Sequence, residues 1–298
     1  MRLGALSEVV APRGLILAAG RGERMRPLTD HCPKPLLQVR GQPLLQWWID
    51  ALARGGIQSI VINTGWLGEQ IESHFDAQRL SHLRRQLSKD ELSVAFSSEV
   101  RDFGYALETA GGIARALPLL APQPQDVFWV VAGDIYAPGF AISAEAAQRF
   151  AASGRLAHLW LVPNPAHNPQ GDFAIGPDGL ALNPVSAPAA GPPQGGHAPS
   201  GGSAAGEAAE RGGTLTFSTV ALYRPALFAP PWCDILPGNP QGTAAPLAPL
   251  LRKAIAAGQV SAELYTGAWT DVGTPERLAQ LSAGLRSPRA ERGLALPA

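Results

Sequence analysis

Leu15–Pro35 reads LILAAGRGERMRPLTDHCPKP, an apolar run that stops at glycine and passes at once into a basic, glycine-bearing loop. Residues 15–19 have the length and composition of a buried strand, and Gly20 ends it. Gly20 and Gly22 let backbone N–H groups approach an anion closely, and Arg21, Arg24, Arg26 and Lys34 add positive charge within fifteen residues. The stretch therefore reads as a phosphate loop. It is not a Walker A sequence, because GxxxxGK[ST] is absent, and it is not a dinucleotide fingerprint, because Met25 stands where the third glycine would be. On the glycines alone a second reading stands beside it, in which Gly20 and Gly22 only turn the chain and the arginines are solvated.

Working outward, short apolar runs alternate with longer amphipathic ones. Strands are predicted at 15–19, 59–63, 92–96, 127–131 and 156–162, and helices at 43–54, 67–75 and 108–117, the last ended by Pro118. This alternation predicts parallel βαβ units in an α/β, doubly wound, mostly parallel Rossmann-like sheet, whose ligands sit at the carboxyl ends of the strands. Past residue 162 the pattern changes. Asp172–Leu182 places Pro177-Asp178-Gly179 between two short apolar runs and predicts an antiparallel hairpin flank. A strand at 214–223, a helix at 246–257, a strand at 260–265 and a helix at 274–285 complete the reading.

The chain has 298 residues, of which 46% are hydrophobic, enough for one large domain, predicted here over 13–285. Gly 33 and Pro 28 make up about a fifth of it, against a usual ~12%. Much of the excess lies in 183–213, which holds no aromatic residue and is read as a low-complexity insertion; residues 1–12 are read as a flexible extension and 286–298 as a tail. Lys+Arg 24 balances Asp+Glu 24, which gives no support to a nucleic-acid partner. Glu8, Pro12 and Arg13 interrupt any signal-peptide core, no window approaches a membrane span, and Cys32 and Cys233 lack CxxC partners; the expectation is a cytoplasmic protein.

Two aspartates stand out. Asp134 follows the strand run VFWVVAG and should emerge at the carboxyl end of a central strand, over the cleft. Asp271, in WTDVGT, is either an N-cap for the following helix or, with Thr274 as the better cap, free for other chemistry. Asn164, His167 and Asp172 fall in a stretch rich in turn formers, so each is either a turn residue or a polar lining. Trp47, Trp48 and Trp160 read as core, and Trp269 is open between core and ligand platform.

The pattern Leu17-Ala-Ala-Gly-x-Gly-x-Arg24-Met-x-Pro-Leu-Thr29, followed by Cys32-Pro-Lys34-Pro-Leu36, resembles the signature of the sugar-1-phosphate nucleotidyltransferases. Within that superfamily, Leu107–Ile113, Asn164–Phe173 and Trp269–Leu278 look most like the N-acetylmuramate α-1-phosphate uridylyltransferases of cell-wall recycling. The resemblance implies that a sugar 1-phosphate attacks the α-phosphorus of UTP and pyrophosphate leaves, with the enzyme supplying position and charge. It implies Lys34 at the α-phosphate and Arg24 nearest the leaving pyrophosphate, with Ala19, Gly20, Gly22 and Glu23 in the triphosphate loop. It implies Asn63, Gly104, Glu108 and Gly111 around the base, Asn164 and Asp172 at the sugar, and Asp134 with Asp271 on Mg²⁺. Many relatives carry glycine at the position of Glu108. Where most carry Glu-Lys-Pro, with the lysine on the sugar phosphate, this chain has Val162-Pro-Asn164-Pro, so another group must do that work.

The resemblance leaves room for mannose-1-phosphate guanylyltransferase or glucose-1-phosphate thymidylyltransferase chemistry, or for a catalytically silent nucleotide-sensing subunit. Silent subunits lose a basic or metal residue, whereas Arg24, Lys34, Asp134 and Asp271 are all present. Its implied partners are the small molecules UTP and a sugar 1-phosphate, with no membrane partner. No hexapeptide repeat or coiled-coil seam dictates an assembly, so a monomer or small homo-oligomer is expected. Deletion of Pro188–Glu210, a segment too poor in large apolar groups to offset its own ordering entropy, should leave turnover unchanged and stability within roughly 1 kcal/mol of the full chain in chemical denaturation.

Overall fold

The computed structural model describes residues 12–184 and 213–283; the predicted extension, insertion and tail fall almost wholly outside these. The first half winds through β1 (Arg13–Ala18), β2 (Gln38–Val39), β3 (Gln42–Pro43), α1 (Leu44–Arg54), β4 (Ser59–Thr64), α2 (Gly68–His74), α3 (Ala77–Leu87), β5 (Ser93–Ser98), α4 (Glu99–Phe103), α5 (Glu108–Leu120), β6 (Phe128–Ala132) and β7 (Ile135–Tyr136). The second half adds α6 (Ala144–Ser153), β8 (Ala157–Val162), β9 (Ala174–Ile175), β10 (Ala181–Leu182), β11 (Thr216–Tyr223), α7 (Leu247–Ala256), β12 (Val260–Leu264), β13 (Thr270–Asp271) and α8 (Pro275–Ala283).

Seven strands form one sheet in the order β12-β8-β11-β6-β1-β4-β5. β1 pairs in parallel with β4 and with β6, β4 with β5, and β12 with β8, while β11 runs antiparallel to both its neighbours. This is the mostly parallel α/β sheet expected, and β9 and β10 supply the antiparallel hairpin. At its turn Gly179 has φ 76 and the Asp178 carboxylate accepts from the Leu180 N–H, as Pro-Asp-Gly calls for.

Alternation along the central strands builds a core on each face. Leu15 and Val130 pack with Ile113 and Leu117 of α5 and Leu250 of α7. Ile16, Trp129 and Val131 face the other way, against Trp48 and Ile49 of α1 and Phe150 of α6. Trp160 stacks on Trp129 with centroids 4.9 Å apart, and the Trp48 indole donates to the Ile135 carbonyl. Both are core residues, as read; Trp47 is partly buried, edge-on to Tyr136.

The structure departs from the sequence reading in several places, among them α6, β2 and β3, for which no element was predicted. α5 does not stop at Pro118 but runs to Leu120. Proline deprives the Ala114 carbonyl of its helical donor, and the Gly238 N–H takes that place at 2.8 Å. α3 was not foreseen because only Leu83 of it is buried; the Asp76 cap, accepting from the Arg79 N–H, defines its start. α4 is a five-residue turn too short to carry a period. β7 and β13 are two residues each, below the length at which alternation can be seen.

Glu99, the first residue of α4, is 1% exposed. Its Oε1 accepts from the Asn63 side-chain amide and its Oε2 from the Leu107 N–H, both at 2.7 Å, and the Asn63 Oδ1 accepts from the Ala18 N–H. One carboxylate thereby ties the ends of β1 and β4 to the start of α5. A Cβ at Gly112 would lie 2.4 Å from Glu99 Oε1, so α5 approaches this closely only with glycine there. Burial pushes the Glu99 carboxyl above its ordinary value, although its two hydrogen bonds pull the other way. A raised folded-state pKa contributes stability below the unfolded value that is lost as pH rises through the folded one. Glu99→Gln, which turns an amide N–H toward one of the two donors, should cost about 1–2 kcal/mol at pH 4. The gap to wild type should narrow as pH rises to 7; denaturant titrations across that range would show it, and a widening gap would contradict it.

Candidate active site

The carboxyl ends of β1 and β6 mark the point where the winding reverses, and the loops leaving them open onto a cavity of about 780 Å³. After β1 the chain turns at Gly22, with φ 66; a Cβ there would meet Thr29 and Lys34 at 3.1–3.3 Å. The Thr29 hydroxyl and the Met25 N–H both donate to the Gly22 carbonyl. Met25 itself is fully buried among Leu37, Val39, Leu44, Tyr136 and Val272, so the methionine that breaks the dinucleotide fingerprint is the loop's anchor. Arg24 and Glu23 stay exposed, and the Arg21 guanidinium lies 4.1 Å over the Trp66 ring.

Lys34 is 8% exposed, and its ammonium donates to Asp134 Oδ2 at 2.5 Å. Asp134 leaves β6 through Gly133, whose N–H bonds the Leu17 carbonyl. The next two residues form β7, which pairs with β13: Asp271 stands opposite Ile135, and the Val272 N–H donates to the Asp134 carbonyl at 3.0 Å. Two aspartates remote in sequence are thus brought side by side by two residues of ladder. Asp271 Oδ2 also takes the Arg277 guanidinium at 3.0 Å, and His167 Nε2 lies 3.5 Å from it. Thr274 meets the Arg277 N–H and serves as the α8 cap, so Asp271 is not needed there.

The cavity wall carries Ala19, Gly20, Gly22, Glu23, Arg24 and Lys34 from the loops after β1. Asn63, Glu108, Asp134 and Asp172 join them from β4, α5, the β6–β7 turn and the segment before β9. Asp172 Oδ2 is held by the Phe217 N–H at 2.8 Å and the Asn168 amide at 3.3 Å.

Four expected residues are placed otherwise. Asp271 is behind the wall, which reaches it at Gly273. Gly104 caps α4 with φ 82 and open space around its Cβ. Gly111 has its N–H on the Ala245 carbonyl and its carbonyl on the Asn239 amide, and a Cβ would strike the Thr243 carbonyl at 2.4 Å; its backbone holds the loop that follows Asn239. Asn164 accepts from the Thr216 hydroxyl and donates to the Pro169 and Thr214 carbonyls, so every polar group it has closes the turn. Trp269 donates to the Ser218 carbonyl.

The sequence did not single out Glu99, Phe217, Thr219 or Arg252, which also line the cavity. Arg252, on α7, puts a cation on the wall of a site whose usual lysine is missing. Only folding brings these residues to the loop, and none sits in a motif.

The donor set fits a hard divalent cation. Asp134 and Asp271 each keep one carboxylate oxygen without a hydrogen bond among the described residues, and two carboxylates leave the remaining positions to phosphate oxygens and water. Among the described residues no cluster of three or more His, Cys, Asp or Glu side chains could hold a metal, and no helix is long and apolar enough to cross a membrane.

The family model described as nucleotidyl transferase matches residues 13–172. N-acetylmuramate alpha-1-phosphate uridylyltransferase of Neisseria meningitidis serogroup B is 41% identical over 274 residues, covering 91% of this chain and 97% of that protein. The Caulobacter vibrioides protein of the same name is 34% identical over 46% of this chain and 53% of its own length. A solved UDP-glucose pyrophosphorylase bound to UDP-glucose shares the fold, with a TM-score of 0.63 at 16% identity, over 92% of this chain and 97% of that one. The family model covers more than half of the chain and the Neisseria protein matches it almost end to end, so the chain belongs to the nucleotidyl transferase family.

Proposed function

We propose that this nucleotidyltransferase joins UTP and N-acetylmuramate α-1-phosphate to give UDP-N-acetylmuramate and pyrophosphate, a reaction of peptidoglycan recycling. The observation that carries the reading is 41% identity across 97% of the Neisseria enzyme of that name. A phosphate oxygen of the sugar 1-phosphate forms a bond to the α-phosphorus of UTP, and the bond to the bridging oxygen of the β-phosphate breaks, releasing pyrophosphate. No covalent enzyme intermediate is needed, so the protein acts by position and charge.

In this reading Lys34 meets the α-phosphate and Arg24 the departing pyrophosphate, with Gly20, Gly22 and Glu23 shaping the loop around the triphosphate. Asp134 and Asp271 would hold Mg²⁺, which, when bound, neutralises the charge that builds on the phosphate oxygens. Glu108 lies at the base and Asp172 at the sugar, while Asn63, whose amide is engaged by Ala18 and Glu99, shapes the wall between them and the loop. Asn164 is assigned to closing the sugar-side turn and Gly111 to packing, because their polar groups are already engaged. Arg252 is assigned to the sugar phosphate, the role left vacant by Val162-Pro-Asn164-Pro.

Pyrophosphate release measured over a matrix of UTP, dTTP and GTP against muramate, glucosamine, glucose and mannose 1-phosphates should be greatest for UTP with N-acetylmuramate 1-phosphate; no turnover of that pair would remove the reading. Lys34→Ala should lower kcat by about 10²–10³, the usual effect of deleting one group that binds developing charge. Asp271→Asn should raise the Mg²⁺ concentration needed for half-maximal rate.

A further inference from the structure

Thr219 has φ 62 in the middle of β11. Left-handed backbone is costly for a β-branched residue, whose Cβ substituents crowd the carbonyl. Among the described residues the other non-glycine positions with positive φ are Arg40, Leu67, Ser88, Glu108 and Asn239. Leu67 and Ser88 cap helices, Glu108 opens one, Arg40 and Asn239 are in turns. Thr219 alone among them is β-branched and inside a strand.

The surrounding structure enforces this conformation. Phe217 pairs with Leu161 and Ala221 with Leu159, so Ser218, Thr219 and Val220 stand opposite Trp160 alone. Ser218, fully buried, fixes the bulge: its hydroxyl donates to the Trp160 carbonyl at 2.6 Å and accepts from the Val220 N–H. The Ser218 carbonyl accepts from the Trp269 indole at 3.1 Å and from the Thr219 hydroxyl at 2.6 Å. Bulges of this kind re-aim a side chain next to a functional site. Here the re-aimed residue lines the cavity with Phe217 and Asp172, on the side away from the phosphate loop's own strand.

We infer that Thr219 is a specificity-determining residue for the sugar 1-phosphate, its hydroxyl oxygen accepting a hydrogen bond from a hydroxyl or amide N–H of the sugar. The hydroxyl proton is already committed to the Ser218 carbonyl, so Thr219 Oγ1 has only acceptor capacity left for a ligand. A backbone conformation that glycine would adopt without strain is held by a residue that brings an acceptor into the cavity; that combination separates a functional side chain from one that merely fills space. The inference rests on the sugar-nucleotide reading of the cavity, but not on which sugar is used.

Thr219→Gly and Thr219→Ser test it, assayed with the sugar 1-phosphate that the wild type turns over fastest. Glycine should raise Tm by roughly 2–4 °C through relief of the backbone, leave KM for the nucleotide within twofold, and lower kcat/KM for the sugar 1-phosphate about five- to tenfold. Serine, which keeps the acceptor oxygen, should hold that kcat/KM within about twofold of wild type. The inference is overturned if glycine retains wild-type kcat/KM, if serine falls as far as glycine, or if glycine fails to raise Tm. Failure of the wild type on muramate phosphate with normal turnover of another sugar would fault the substrate assignment and leave these comparisons intact.

Discussion

Two residues of backbone pairing hold this site together. β7 follows directly on Asp134 and β13 ends on Asp271, so pairing Ile135 with Asp271 sets both carboxylates at the same end of the sheet. A two-residue ladder has little stability of its own. It persists because Tyr136 of β7 and Val272, the residue after β13, bury in a small cluster with Met25, Val39 and Leu44. The same cluster seats the phosphate loop through Met25. Loop conformation and carboxylate placement are therefore one cooperative unit, in which apolar packing outside the cavity fixes polar groups on its wall.

Charge inside the unit is balanced before any ligand arrives. A lysine that is 8% exposed would pay a large desolvation cost alone, and Asp134 at 2.5 Å offsets it. Asp271 has its own cation in Arg277, a residue on the next helix. Each carboxylate thus engages one oxygen with a cation of the protein and keeps the other without a hydrogen bond among the described residues. Arg24, by contrast, stays exposed on the cavity wall.

Periodicity made the parallel half legible: β1, β4, β5, β6, α1 and α5 follow apolar patterns long enough to count, and the hairpin turn follows from Pro177-Asp178-Gly179. The rest was hidden for identifiable reasons. α3 buries one residue, α4 is a single turn, and α5 crosses Pro118 only because Gly238, remote in sequence, satisfies the released carbonyl. Within the site, Gly20, Gly22, Lys34 and Asp134 sit in contiguous motifs at strand ends. Glu99 does not: a lone glutamate reads as surface until its donors, Asn63 and Leu107, are known. Asn164 and Gly111 show the converse, since motif membership located them without revealing that their polar groups are engaged by the protein itself.

The sheet divides the labour by strand direction. β1, β4, β5 and β6 run parallel, so their carboxyl ends and the loops after them converge on one edge, where the cavity opens. β11 enters between β6 and β8 in the opposite sense, so its first residue, Thr216, pairs with Val162 at the carboxyl end of β8, and the residues before Val220 pass the carboxyl end of β6. At Thr219 the ladder to β8 is interrupted, and the residue lines the cavity. Ser218 supplies the break, by bonding its hydroxyl to the Trp160 carbonyl, and Trp269 secures it from the segment that carries Asp271. The cavity wall at Thr219 is consequently linked to the segment that carries Asp271 through one carbonyl, that of Ser218, while the loop after β1 is anchored through Met25 in a separate apolar cluster.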